Sequence, residues 1–186
     1  MNASVDGFIA DRAGLFDWGV PDDEEFAFHL AEVRELRSYL CGRKLYETML
    51  GWETDPSLRD TDLHAAFADA WSALPKIVFS GTLTSVQGNA RLAERSLTDE
   101  VAATVGATKQ DVGIGGAGLA AAAIELGLVD ELHIFRNPIL VGGGTPLLPP
   151  VAENMPLTFV ETRTFASRVV FERYRRAPDT PPDTPA

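Results

Sequence analysis

Apolar runs that stop at a glycine turn and give way to an amphipathic stretch recur along this chain, and that alternation restricts the fold more than any single residue does. Tyr39-Leu40-Cys41 runs into Gly42-Arg43-Lys44, Lys76-Ile77-Val78-Phe79 into Ser80-Gly81-Thr82, and Asp111-Val112-Gly113-Ile114 into Gly115-Gly116-Ala117-Gly118. Strands that alternate with helices pair in parallel, because each crossover helix returns the chain to the same end of the sheet. Leu157 to Arg175 instead carries two alternating runs, which predicts an antiparallel hairpin at a sheet edge. The expected class is α/β: a three-layer, mostly parallel mixed sheet with helices on both faces and a C-terminal antiparallel hairpin.

The spacing of apolar residues predicts the helices. Phe26, Leu30, Val33, Leu36 and Leu40 recur at three- and four-residue intervals behind Pro21 and an acidic first turn, which predicts one amphipathic helix over Asp22 to Leu40. Further helices are expected from the Gly42-Arg43 turn to Gly51, from Thr61 to Leu74, from Ser96 to Lys109 with Ser96 or Thr98 as cap, and from Leu119 to Leu128. Ala90 to Ala93 and Glu131 to Leu140 read as strands, the latter ahead of a loop at Gly142-Gly143-Gly144-Thr145-Pro146. Asn2 to Ala10 opens in mid-strand, which predicts an apolar segment ahead of Met1. With 186 residues, 45% of them apolar, one domain over 1–176 accommodates these elements. Residues 177–186 repeat Pro-Asp-Thr-Pro and are expected to form a disordered tail.

A formal charge of −11 repels nucleic acid and anionic lipid, so a phosphate-bearing ligand has to be met by local donors. The single cysteine, Cys41, leaves no internal disulfide and no cysteine zinc cluster, and it suits a reducing compartment, the cytoplasm. No apolar stretch approaches the length of about 18 residues that spans a bilayer, and no basic region followed by an apolar run opens the chain.

The three glycine turns carry the chemistry. Gly42 lets the backbone approach a ligand at a strand-to-helix turn, and Arg43 and Lys44 follow where a helix start attracts an anion. The planar fork of Arg43 suits a phosphate monoester such as the 2′-phosphate of NADPH; a solvated turn is the plain alternative. Gly115-Gly116-Ala117-Gly118-Leu119 opens a helix with glycines that admit a pyrophosphate to backbone N–H groups, or that merely allow close strand-helix packing. Gly116, Gly118 and Ala121 also satisfy the dinucleotide fingerprint of NAD-linked Rossmann enzymes. That pattern falls late in the chain here, and the strand about 20 residues on ends in Phe135-Arg136-Asn137 without the acidic group that binds ribose. Ser80-Gly81-Thr82 adds a hydroxyl and N–H groups at a third strand end, an arrangement also common in ordinary turns. The acids Asp22 to Glu25 suit a helix start, Asp6 suits a turn, and Trp18 and Trp52 either stack on a flat ring or cap the core. His29, His64 and His133 stand singly, His29 and His64 on expected helix surfaces, with no metal-ligand spacing. The lack of metal and nucleophile motifs favours redox chemistry carried by a bound cofactor.

On these residues the chain resembles the dihydrofolate-reductase-like family that includes the C-terminal reductase domain of the bifunctional riboflavin-biosynthesis deaminase-reductase. The matching blocks are Ser4-Val5-Asp6-Gly7-Phe8-Ile9-Ala10, Gly42-Arg43-Lys44-Leu45-Tyr46-Glu47, Ser80-Gly81-Thr82-Leu83, Gly115 to Leu119, and Gly127 to Leu132 running to Gly142-Gly143-Gly144. The resemblance implies a homodimeric reductase that binds NADPH across the carboxyl ends of its strands and transfers hydride to a small molecule. A pteridine, a riboflavin precursor such as 5-amino-6-(5-phosphoribosylamino)uracil, and a carbonyl or imine are the substrate classes it implies. Carried over by position, Gly42, Arg43, Lys44, Ser80, Gly81 and Thr82 meet the phosphates, Gly115 to Leu119 hold the pyrophosphate with a cis peptide at Gly115-Gly116, and Ile9 and Ala10 lie by the nicotinamide. Leu45 replaces a usual Thr, and Gly81 stands where Arg is frequent. Asp23, on the first long helix, is the expected proton source or substrate anchor, with Trp18, Phe26 and Trp52 around the substrate. No zinc-deaminase pattern is present, which implies a stand-alone reductase. Rival readings are a non-catalytic NADPH-binding or sensory module and an NAD-linked Rossmann oxidoreductase.

Overall fold

The computed structural model describes residues 1–177. Apart from Ala177, the tail expected over 177–186 lies outside the described residues. In chain order the elements are β1 (Asn2–Ser4), β2 (Phe8–Ala10), α1 (Asp23–Glu35), β3 (Leu36–Gly42), α2 (Arg43–Met49), α3 (Gly51–Thr54), α4 (Asp62–Ala73), β4 (Lys76–Phe79), β5 (Ala90–Leu92), α5 (Leu97–Gly106), β6 (Asp111–Gly115), α6 (Ala117–Glu125), β7 (Glu131–Asn137), β8 (Thr145–Pro146), β9 (Leu157–Thr164) and β10 (Val170–Arg176). Short 3-10 turns lie at Asp17–Gly19 and Pro56–Arg59. None of the helices among the described residues is long and apolar enough to cross a membrane. The chain is a mixed α/β protein with a parallel sheet, helices and C-terminal antiparallel strands, and its described residues divide into two compact units: Met1–Gly19 with the residues from Val129 onward, and Val20–Leu128.

The Val20–Leu128 unit is built on a four-stranded parallel sheet in the order β5-β4-β3-β6. The helix expected over Asp22 to Leu40 is two elements. Asp22 caps α1 through a capping box, its carboxylate accepting the Glu25 N–H at 2.9 Å, and the helix ends at Glu35. Leu36 takes an extended conformation (φ −78°, ψ 141°), and Leu36–Gly42 becomes an inner strand hydrogen-bonded on both edges. Leu36 and Leu40 fit a period of 3.6 and a period of 2 alike, and satisfying two strand neighbours decides between them. Ser96 caps α5 and Thr61 caps α4. Phe26, Leu30, Cys41, Tyr46, Phe67, Trp71, Leu74 and Val78 form the buried core, closed by rings in tilted and stacked contact.

The other unit carries a mixed sheet, β1-β7-β10-β9, in which β1 runs parallel to β7 and the expected C-terminal hairpin supplies the antiparallel β10 and β9. Part of the expected glycine loop pairs as β8 with β2. Ala3, Ile134 and Leu147 form one buried cluster, with Ile9, Leu132 and Tyr174 packed against them, and Phe135, Phe165 and Phe171 are buried as well.

Candidate functional site

In the Val20–Leu128 unit, Gly42 lies opposite Phe79, and Cys41 lies opposite both Val78 and Gly115. The strands are parallel, so the turns after β4, β3 and β6 emerge side by side at one edge of the sheet. The order β5-β4-β3-β6 also means that the chain steps outward from β3 through β4 to β5 and then returns to the other side of β3. Ligands of open α/β sheets bind beyond the carboxyl ends of the strands at such a reversal. The turns at Gly42 and at Gly115-Gly116 stand there.

These two turns touch. A Cβ on Gly116 would lie 3.2 Å from both Cα and N of Gly42, and Gly116 has φ +95°, a conformation that favours glycine. All peptide bonds among the described residues are trans, so the cis Gly115-Gly116 bond implied by the resemblance is corrected. Gly116 leaves the start of α6 without a side-chain cap, so the first N–H groups of that helix are open to an outside acceptor. A Cβ on Gly118 or on Gly81 would meet nothing within 4 Å, which leaves room beside both turns. Gly42 starts α2, likewise without a side-chain cap. These features fit a pyrophosphate.

Arg43 and Lys44 are exposed at that start. Arg43 donates to both carboxylate oxygens of Glu47, at 3.2 and 3.1 Å, one helical turn on. Such an exposed pair holds the side chain by only about 0.3–0.5 kcal/mol, little against a phosphate ligand. Ser80 is committed inward: its hydroxyl oxygen accepts the N–H groups of Thr82 and Leu83 at 3.1 and 2.9 Å. Leu45 packs its Cδ2 beside Gly115.

The remaining expected residues divide between the two units. Phe26 and Trp52 are brought together with ring centroids 5.2 Å apart, Phe26 buried in the aromatic core. His64, expected on a helix surface, packs edge-on to Phe26 at 4.6 Å and bonds Asp60 at 2.6 Å. Asp23 is exposed in the first turn of α1. Ile9, Ala10 and Trp18 belong to the other unit, where Trp18 keeps a buried Nε1–H without a hydrogen-bond partner. Also in that unit, Asp6 reaches beyond its own turn: its carboxylate accepts the N–H groups of Gly142 and Val141 at 2.7 and 3.2 Å. The Ser4 hydroxyl, followed by these N–H groups, holds the Asp6 carboxyl below its usual range. This tie links two blocks that the sequence presents 135 residues apart.

Two buried groups carried no signal in the sequence. Lys76, whose side chain is fully buried, pairs with Glu53 at 2.9 Å and donates to the carbonyls of Trp71 and Leu74 at 2.6 and 3.0 Å. All three ammonium donors are thereby used, so Lys76 serves structure. Burial pushes the Cys41 thiol up to about 12, which denies it the thiolate a nucleophile needs.

A sheet edge with three turns on parallel strands and a C-terminal antiparallel hairpin defines a dihydrofolate-reductase-like α/β protein. The family model described as the RibD C-terminal domain matches residues 1–171, and the chain belongs to this family of reductase domains. A Bacillus subtilis (strain 168) protein, uncharacterized protein YyaP, is 32% identical over 172 residues, covering 91% of this chain and 89% of its own length. Among solved structures, a putative riboflavin biosynthesis protein from Shewanella sp. PV-4 superposes with a TM-score of 0.76 at 24% identity, covering 96% of this chain and 97% of its own. Acinetobacter baumannii RibD gives a TM-score of 0.68 at 15% identity over 95% of this chain, which corresponds to 56% of the RibD chain. These likenesses extend over the described sheet and turns, and they show the fold.

Proposed function

We propose that this protein is an NADPH-dependent reductase acting as a homodimer on a small heterocycle of the pteridine or riboflavin-precursor kind. The observation that carries the cofactor reading is the meeting of the Gly42 and Gly116 turns at the reversal of strand order, with an uncapped helix start at α6. The N–H groups at the start of α6 hold the pyrophosphate, and Gly118 leaves space for it. Arg43 gives up Glu47 for the 2′-phosphate, with Lys44 beside it as a second positive charge. When bound, NADPH supplies the hydride; this chain's own groups bind and orient it. Family membership supports reduction as the reaction, and the names of the Shewanella and Acinetobacter proteins support riboflavin-type chemistry.

Titration of NADPH and NADH against wild type and Arg43→Ala tests the reading. Loss of one charge-assisted phosphate contact costs roughly 1.5–3 kcal/mol in NADPH binding and little in NADH binding. Equal losses for both cofactors would remove the 2′-phosphate role from Arg43.

A second reading, a cofactor-binding module without turnover, is favoured by one observation: Phe26 and Trp52 fill space against each other and Phe67. Tight NADPH binding with no oxidation across a panel of pteridines, pyrimidine precursors and quinones selects it. Turnover of any member excludes it.

A further inference from the structure

β9 is the last strand of its sheet, hydrogen-bonded among the described residues to β10 alone. All eight of its residues are exposed, including Phe159 at 56% and Leu157 at 40%. Leu157–Thr164 contains no proline and no lysine, two of the devices by which proteins usually blunt an edge, and its irregularity lies only at the step opposite Arg173 and Tyr174. From Glu161 to Thr164 the pairing with β10 is regular.

The direction of the free backbone groups follows from the register. Phe165 N–H donates to the Val169 carbonyl at 2.9 Å, so 165 and 169 are a hydrogen-bonded pair. Antiparallel pairs alternate, which makes Arg163 with Phe171 and Glu161 with Arg173 the inward-bonded pairs. Thr162 and Thr164 then turn their N–H and C=O groups to the outer edge. Side chains alternate as well, so Glu161 and Arg163 share one face with Thr162 between them on the other.

We propose that β9 pairs antiparallel with β9 of a second copy of this chain, about a twofold axis at Thr162. The central pair, Thr162 with Thr162 of the second copy, exchanges two backbone hydrogen bonds. Glu161 of each chain falls opposite Arg163 of the other, giving two opposite-charge pairs related by the axis. Moving the axis to Arg163 or Glu161 sets like charges face to face, and moving it to Thr164 sets Arg163 opposite Phe165 and loses both charge pairs, which selects the Thr162 register. This surface rests on the homodimer reading above and names where that dimer forms.

The test is sedimentation velocity and native mass spectrometry on the full chain. Wild type is dimeric at micromolar concentration. Thr162→Pro removes an outward N–H from the ladder together with the Thr162 hydroxyl, leaves the backbone pairing with β10 in place, and weakens the dimer roughly 30- to 100-fold. Thr162→Val also loses the Thr162 hydroxyl bond to the Phe171 carbonyl, keeps the N–H, and stays dimeric. Glu161→Arg and Arg163→Glu each weaken the self-dimer, and mixing the two restores association as a heterodimer; unchanged circular dichroism confirms that each is folded. A wild-type monomer overturns both the surface and the homodimer. A dimer that survives Thr162→Pro, or charge variants that gain nothing on mixing, overturns this surface and leaves the homodimer standing.

Discussion

At Gly113 and Gly115 a missing side chain lets Tyr39 lie across β6. A Cβ on Gly113 would fall on the Tyr39 ring, and one on Gly115 would lie 2.6 Å from both the Tyr39 hydroxyl and Leu45 Cδ2. Gly118 differs, since its Cβ would enter open space. The glycine run therefore holds two kinds of residue that look alike in sequence: packing glycines before the turn and an open one after it, with Gly116 set apart by its φ of +95°. The expected outcome is a split between stability and binding. Gly113→Ala overpacks the sheet and lowers unfolding free energy by about 1–3 kcal/mol, with NADPH affinity of the folded protein near wild type. Gly118→Ala keeps or gains up to about 1 kcal/mol of stability, because alanine suits a helix better, and weakens NADPH binding by crowding the pyrophosphate. Urea unfolding and cofactor titration on both variants check this; undiminished NADPH binding by Gly118→Ala would move the pyrophosphate away from the start of α6.

Elements were legible where a breaker marked their ends. The three turns at Gly42, Ser80-Gly81 and Gly115-Gly116 were visible because glycine stops an apolar run, and the hairpin of β9 and β10 because its alternation is long. The junction of α1 and β3 carries no glycine or proline, so nothing in Arg34-Glu35-Leu36-Arg37 announces the change, and only pairing with β4 and β6 does. Side-chain partners across elements were hidden for the same reason: Glu100 of α5 is buried and bound by Arg91 of β5 through two hydrogen bonds of 2.9 and 2.6 Å, although nine residues separate them. That bond, with the Glu94 N–H, outweighs burial and holds the Glu100 carboxyl at about 2, against an ordinary value of 4.5. A carboxyl held low in the folded state contributes stability that is present above its unfolded value and is lost as pH falls through the folded one. Glu100→Gln should therefore cost on the order of 1–3 kcal/mol near neutrality, with half-exposed Arg91 limiting the gain. The gap between the two proteins should close between about pH 4.5 and pH 2. Denaturant midpoints across that range measure it, and a constant gap would assign the loss to packing rather than charge.

Over the whole molecule the charge of −11 opposes the anionic cofactor proposed for the glycine turns. Which of the two fields an approaching NADPH feels depends on ionic strength. At about 0.01 M salt the Debye length is about 30 Å, so the dinucleotide senses charge across most of a protein this size and is repelled; at about 0.15 M it is about 8 Å, and Arg43 and Lys44 dominate what remains. The association rate of NADPH should then rise as salt is raised between these limits, opposite to the fall that a basic protein shows with an anion. The Arg43→Ala penalty on equilibrium binding acts at contact distance, where screening is weak, and should persist across the same range. Stopped-flow fluorescence of cofactor binding separates the two effects. A rate that falls steadily with salt, in wild type and not in Arg43→Ala, would mean that the local pair at the start of α2 outweighs the net charge even at the longest Debye length.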